Sequence, residues 1–72
     1  MKYVRIKSNF PDGTFTGCEH AYLGDNHTDA LARFRKEYPE HNECIVIAQT
    51  IDADDPKWFG WIKAARDCGC VH

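Results

Sequence analysis

Cysteine and histidine recur at alternate positions in two short segments of this 72-residue sequence. CEH covers residues 18–20, and CGCVH covers residues 68–72. Side chains at i and i+2 of a strand share a face, and thiolate and imidazole are the ligands that Zn²⁺ prefers. The sequence therefore predicts a structural zinc site that takes four of five residues: Cys18, His20, Cys68, Cys70 and His72.

The spacing of these residues also permits other interpretations. Cys-x-Cys departs from the usual Cys-x₂₋₄-Cys zinc pattern, so Cys18 and Cys44 could instead be small core residues and residues 68–72 a loose tail. A redox pair is a further interpretation, but Cys-Gly-Cys lacks the two intervening residues of a thioredoxin-like motif, which disfavours it. Cys18 and His20 could be a nucleophile and its base, but the sequence offers no orienting carboxylate or oxyanion hole nearby. We therefore expect a protein that is not an enzyme.

Aromatic and basic residues supply the candidate surface for a partner. Three large aromatics lie within residues 58–61, and on a helix they cannot all face one way, so some should be exposed or covered by another chain. Residues 3, 5 and 7 alternate along a predicted strand, where one ring and two cations could contact bases and phosphates. Core packing and a solvated strand face are the alternatives. The candidate contact residues are Tyr3, Arg5, Lys7, Trp58, Phe59 and Trp61.

Length and composition limit the classes of protein to consider. The chain has room for one domain over residues 1–72, and its 43% apolar content argues against disorder. A net charge of −2 is too close to zero for a nucleic-acid binder that works mainly through phosphates. No stretch is apolar enough for a signal peptide or a membrane span. These features predict a cytoplasmic protein without a membrane partner, whose cysteines are free thiols or metal ligands.

Alternating apolar residues predict two strands joined by a turn. In KYVRIKS, residues 2–8, Val4 and Ile6 point to one side. The following NFPDGT is a turn, because proline fixes φ and glycine accepts positive φ. A second strand over residues 14–23 completes the hairpin, and Gly17 marks a bulge within it.

Two helices and a third strand follow. Leu31, Phe34 and Tyr38 fall at helical spacing, after a cap at Asn26 or Thr28 and before a proline that ends the helix.

CIVIAQTID, residues 44–52, is apolar on both sides at its start, which predicts an interior strand or one covered on both faces. Asp55 as a cap and Gly69 as a stop predict a second helix. Because Gly60 disfavours a helix, a strand over residues 58–62 is the alternative.

These elements indicate an α+β fold of order β-β-α-β with a second helix at the C-terminal side. The small three-stranded sheet, antiparallel or mixed, packs on the first helix. It is wholly antiparallel if the first strand is central. The second helix either covers the other face or presents its aromatic residues to a partner.

The segment HTDALARFRKEYPEHNECIVIAQTID, residues 27–52, resembles small proteins of phages and mobile elements. In that group a hairpin leads into a helix of the form Ala-Leu-x-x-Phe-x-x-x-Tyr-Pro and then an apolar strand, and some anti-CRISPR proteins are similar in size and element order. The resemblance covers residues 1–52 and carries over no site residue. It implies a non-enzymatic phage protein that sterically blocks a larger protein or ribonucleoprotein complex of the host. The residues themselves keep a zinc-stapled domain, a nucleic-acid-binding accessory protein and a homodimer open.

Overall fold

The computed structural model describes the backbone of residues 1–72 and every side chain except that of Cys18. Over these residues the elements follow the predicted order. Neither helix has the length and apolar character to traverse a lipid bilayer, as judged over the described residues. The elements are strands β1 (Lys2–Asn9), β2 (Phe15–Leu23) and β3 (Ile45–Asp52), helices α1 (His27–Glu37) and α2 (Phe59–Asp67), and 3-10 turns at Pro39–His41 and Pro56–Trp58.

The first strand lies at the centre of the sheet. The order is β2-β1-β3, and β1 is antiparallel to both neighbours, which confirms the wholly antiparallel arrangement. Lys7 pairs with Glu19 whereas Asn9 pairs with Phe15, so three residues of β2 lie opposite one residue of β1. Gly17 has a φ of +86° inside this irregularity, which confirms the predicted bulge and explains why glycine occupies it.

The third strand is an edge strand, and the prediction of an interior or doubly covered strand is wrong. Val46 and Ala48 pack beneath α1, but Ile45 and Ile47 are 56% and 51% exposed on the opposite face. The reason is that α2 covers only the far end of that face, where it buries Ile51. The strand is therefore apolar on both sides although a helix covers only one of them at this end.

Residues 70–72 lie along the outer edge of β2. The Ala21 N–H donates to the Cys70 carbonyl over 2.9 Å, and the His72 N–H donates to the Ala21 carbonyl over 2.7 Å. The Leu23 N–H in turn donates to the His72 carbonyl over 3.2 Å, and Val71 forms a parallel bridge with Ala21. The alternative of a loose tail is wrong, because these backbone hydrogen bonds fix the segment.

The helices cover opposite faces of the sheet. Helix α2 therefore packs against the second face and does not project away from the domain. The residues that we call the α1 cluster are Val4, Ile6, Tyr22, Ala30 and Phe34, with Leu31, Tyr38, Val46 and Ala48 at its border. The residues that we call the α2 cluster are Tyr3, Ala21, Ile51 and Ile62, with Ala53, Trp58, Trp61 and Val71 at its border.

Local signals in the sequence set the helix ends. Asn26 Oδ1 accepts from the Asp29 N–H over 3.0 Å and caps α1, which ends at Glu37 before Pro39. Asp55 Oδ1 accepts from the Lys57 N–H over 3.1 Å and caps the turn that leads into α2. Residues 58–62 are therefore helical, and the alternative strand is excluded.

Candidate functional site

The predicted contact row of β1 lies on the side of the sheet that α2 partly covers. Tyr3 is only 7% exposed because α2 packs over this end of the sheet through Ile62, so the expectation of an open position for this ring is wrong. Further along the strand Arg5 and Lys7 are half-buried. The row is thus graded from a buried end to a more accessible end.

Arg5 joins α2 to the sheet. Its guanidinium carbon lies 5.8 Å from the Trp58 ring centroid and 5.7 Å from the Trp61 ring centroid. The same guanidinium forms a salt bridge with Glu19 and donates from Nη1 to Gln49 Oε1 over 3.1 Å. Trp58 and Trp61 are consequently half-buried packing residues. Their cation–π contacts with Arg5 hold the helix in place.

An apolar surface occupies the accessible end of the same face. Lys7 pairs with Ile47, and Asn9 pairs with both Phe15 and Ile45, so these side chains share one face of the sheet. Lys7 Nζ lies 5.2 Å from the Phe15 ring centroid, and that ring is 43% exposed. We call the surface formed by Lys7, Phe15, Ile45 and Ile47 the open sheet face. Phe59 is also exposed, but it belongs to α2 and not to the sheet.

A cavity of about 260 Å³ adjoins the open sheet face, between the β2 bulge and α2. It shares Phe15 with that face, and two of the predicted zinc ligands, Cys68 and Cys70, border it. Its lining is formed by Phe15, Gly17, Glu19, Trp61, Ala64, Ala65, Cys68 and Cys70. The cavity extends the apolar surface toward α2.

Two other predicted zinc ligands meet on the α1 side. His20 Nδ1 lies 3.2 Å from His72 Nε2, and we call these two residues the histidine pair. His20 is only 3% exposed, and its ring packs against both Phe34 and Tyr38, with centroid separations of 5.6 and 4.4 Å. Its Nε2 is enclosed and has no hydrogen-bond partner among the described residues.

An acidic residue of α1 supports the outer member of the histidine pair. Glu37 Oε2 lies 3.5 Å from His72 Nδ1, and the Tyr22 hydroxyl donates to the same oxygen over 3.1 Å. The Tyr22 ring also stacks on the His72 ring with a centroid distance of 4.7 Å. Burial and the Glu37 carboxylate raise the pKa of Tyr22 well above its usual range, so its hydroxyl stays protonated and continues to donate.

Burial is also the main influence on the inner histidine. It lowers the pKa of His20, and charge on His72 and His41 lowers it further, whereas Glu37 opposes the shift. His20 is therefore a neutral imidazole at neutral pH. A neutral imidazole offers one nitrogen lone pair, which can accept a proton or bind a metal ion.

The four predicted zinc ligands whose side chains are described lie in two parts of the molecule. His20 and His72 meet beneath α1, whereas Cys68 and Cys70 line the cavity beside α2. The side chain of Cys18 lies outside the described residues. Among the described side chains, no group of three or more His, Cys, Asp or Glu residues is placed to hold a metal ion. Zinc binding by this set stays a prediction.

Sequence reasoning did not find Glu37, Ile45 or Ile47 as site residues. Glu37 lies three positions after Phe34, and helical residues three and four apart are neighbours. The spacing could therefore have predicted that Glu37 lies close to the α1 cluster. Ile45 and Ile47 gave an apolar signal that also fits a buried strand, and only the position of α2 decides between the two.

In three comparisons with known proteins, no family model, no curated protein sequence and no solved structure matches this chain. Its role must therefore be inferred from the geometry described above.

Proposed function

We propose that this chain is a small non-enzymatic binding protein that docks its open sheet face on a larger protein or ribonucleoprotein complex. The observation that carries the proposal is the cluster of exposed apolar side chains on one face of the sheet, Phe15, Ile45 and Ile47. Burying apolar surface is favourable at about 25 cal/mol per Å². Several exposed apolar side chains on one face of a sheet are typical of an interaction surface.

Lys7 indicates the chemistry of the partner. It is the cation at the centre of the open sheet face, held over the Phe15 ring and opposite Ile47. A complementary surface would present apolar side chains around a carboxylate that pairs with the ammonium group. We therefore expect a protein surface with at least one acidic residue at its centre.

The state of the β1 row favours a protein partner over a nucleic acid. Tyr3 is buried and cannot stack on a base, and Arg5 is already paired with Glu19 and two indole rings. Lys7 is then the one member of the row that is neither buried nor engaged in an ion pair among the described residues. One cation contributes little to phosphate binding, which requires several.

The placement of potentially catalytic groups supports a non-enzymatic role. Ser8 Oγ lies 3.1 Å from His41 Nδ1, a pairing that could activate a nucleophile at a surface. However, Ser8 is fully buried, and its hydroxyl also contacts Thr16 Oγ1 at 2.9 Å. His20 is buried as well, so neither group is accessible to a substrate.

The resemblance of residues 1–52 to anti-CRISPR proteins suggests which kind of complex the chain binds. We infer that the chain is a phage-derived inhibitor that acts in the host cytoplasm. It would block a nucleic-acid-guided defence complex by occupying the surface that the complex needs for its target. The mechanism is steric, because a rigid domain that covers such a surface excludes the target without any chemical step.

The test is target cleavage by reconstituted class 1 and class 2 CRISPR effector complexes in the presence of the purified chain. We expect inhibition of at least one complex and co-elution with it on size exclusion. The variant Ile45→Thr plus Ile47→Thr should lose inhibition, because it removes apolar contact area while keeping β-branched side chains on the strand. The matched control is Leu23→Thr, an equally exposed apolar residue outside the open sheet face.

Two results would overturn this proposal. One is the absence of inhibition and of co-elution with every complex in the panel. The other is concentration-dependent dimerisation of the chain alone that disappears in the double variant but persists in Leu23→Thr. That second result would assign the open sheet face to a second copy of the chain.

A further inference from the structure

Two imidazole nitrogens from distant parts of the chain meet at a distance that suits a shared metal ion. His20 Nδ1 and His72 Nε2 are 3.2 Å apart, although the two residues are 52 positions apart in sequence. Zn²⁺ binds histidine nitrogen at about 2.0–2.1 Å with tetrahedral angles, which places two such nitrogens roughly 3.3–3.4 Å apart. The separation within the histidine pair lies close to that value.

Glu37 gives the pair the outer partner that metal-binding histidines usually have. A histidine on a metal commonly donates its second ring N–H to a carboxylate, which fixes the tautomer and the ring orientation. Glu37 Oε2 lies 3.5 Å from His72 Nδ1 and is itself fixed by the Tyr22 hydroxyl. With the proton on Nδ1, the lone pair of His72 Nε2 faces His20 Nδ1 at 3.2 Å and the Tyr38 hydroxyl at 3.4 Å.

The state of His20 completes the arrangement. In this tautomer and without an ion, His20 Nδ1–H donates to the lone pair of His72 Nε2, and His20 Nε2 is then a bare nitrogen with no hydrogen-bond partner among the described residues. When an ion binds between the rings, the proton moves from Nδ1 to Nε2 of His20. The ring stays neutral in both states, so this switch of tautomer requires no net release of a proton.

We propose that His20 Nδ1 and His72 Nε2 bind one Zn²⁺ ion, and that Glu37 acts as the positioning residue for His72. A tetrahedral ion has two further positions, which water can fill. The ion would fasten residues 70–72 to β2 and to α1. Such a staple suits a domain of this length, whose core alone gives little stability.

The test is calorimetric titration of the untagged, chelator-stripped chain with ZnCl₂. We expect one ion per chain, and His20→Gln and His72→Gln should each weaken binding by more than tenfold. Glu37→Gln should weaken binding by about tenfold, as is typical for the outer partner of a ligand histidine. The matched control is His27→Gln, an exposed α1 histidine that contacts Thr50 instead of the pair, and it should bind zinc as the unmodified chain does.

A spectroscopic measurement separates ligation from a merely structural role. Imidazole ¹⁵N shifts should report that His20 changes from the Nδ1–H to the Nε2–H tautomer when zinc is added. If His20→Gln does not fold, the zinc affinity of His72→Gln, at the partly accessible end of the pair, tests whether the histidines bind the ion.

Absent zinc binding by the unmodified chain would overturn the proposal, and so would an unchanged affinity in His72→Gln. Loss of binding in Cys68→Ser with both histidine variants unaffected would also overturn it, by assigning the ion to the cavity. Because these measurements use the chain alone, their outcome is independent of the proposed partner.

Discussion

The two faces of the sheet differ in how completely a helix covers them. On the α1 side, Val4, Ile6 and Ser8 of β1 are all fully buried. On the α2 side, the same strand passes from buried Tyr3 to Lys7 on the open sheet face. One strand thus contributes to a closed core on one side and to a graded, partly accessible surface on the other.

The difference shows that a very short chain can bury one set of apolar residues in its core and leave another set exposed on its surface. The α1 face holds the largest fully buried side chains, Tyr22 and Phe34, together with the histidine pair. The α2 face places half-buried aromatic rings around Arg5 and then exposes isoleucines beyond them. We infer that the α1 face carries most of the stability, while the α2 face is available for a partner.

The largest expected effect concerns the closed face. Phe34→Ala should lower the free energy of unfolding by about 3–5 kcal/mol, because it removes a fully buried ring and creates a cavity beside His20. In a domain of this size the core rarely supplies more than about 3–5 kcal/mol, so the variant should be largely unfolded. Urea unfolding followed by circular dichroism measures the change.

The control for this variant is Phe59→Ala, which truncates an exposed ring on α2 and should change stability by about 0.5 kcal/mol or less. Similar losses in the two variants would contradict the assignment of the main core to the α1 face.

The next effect concerns the boundary between the buried and open parts of the α2 face. Arg5→Met should cost about 1–2 kcal/mol, because it removes the cation between Trp58 and Trp61 and deprives Glu19 of its ion pair. Thermal unfolding and indole fluorescence should both change. Arg66→Met, at an exposed position of α2, is the control, and a loss of stability equal to that of Arg5→Met would refute the anchoring role.

A pH-dependent effect concerns the histidine pair. The pKa of His20 is lowered in the folded chain, chiefly by burial, so unfolding at acidic pH takes up a proton. Stability is therefore complete above the ordinary histidine pKa of about 6.5 and falls as the pH drops through that value. Asp12 and Asp52 also have lowered pKa values, but protonation of such carboxylates matters only below about pH 4.

Urea unfolding of the metal-free chain at about pH 7.5 and about pH 5.5 measures this dependence. His20→Gln should reduce it, whereas His27→Gln should retain it. Stability that increases on acidification over this interval would show that His20 is not held neutral by the fold.

The smallest expected effect on stability belongs to the open sheet face. Ile45→Thr plus Ile47→Thr should change the free energy of unfolding by about 1 kcal/mol or less, because both side chains are already exposed. The same substitutions should abolish partner binding. A large loss of stability, measured by urea unfolding, would mean that these isoleucines serve the fold.

Much of the fold was predictable from local signals. The proline after Tyr38 and the bulge at Gly17 are set by neighbouring residues, so the sequence located them correctly, and the cap is the first of the two predicted candidates, Asn26 and Thr28. The coverage of each face depends on where α2 packs, which is a long-range outcome. For that reason Tyr3 was expected at an open position and the isoleucines of β3 were expected inside.

The candidate site was predictable only in part for the same reason. His20 and His72 were selected by residue type, and the edge pairing of residues 70–72 with β2 brings them together. The role of Glu37 depends on the rotation of α1 over the sheet, which the spacing of apolar residues gives only coarsely. Arg5 was expected to contact a partner, but the approach of both indole rings and Glu19 satisfies it within the chain.

The most direct test of the account is photo-crosslinking of the chain, from four single positions, to the larger complex that we propose as its partner. A photoreactive phenylalanine analogue at position 15 or 47 lies on the open sheet face, and the same group at position 23 or 59 lies at an exposed apolar position outside it. We predict covalent adducts with the partner from positions 15 and 47 and none from positions 23 and 59. Adducts from position 59 without any from position 47 would contradict the account and assign binding to α2.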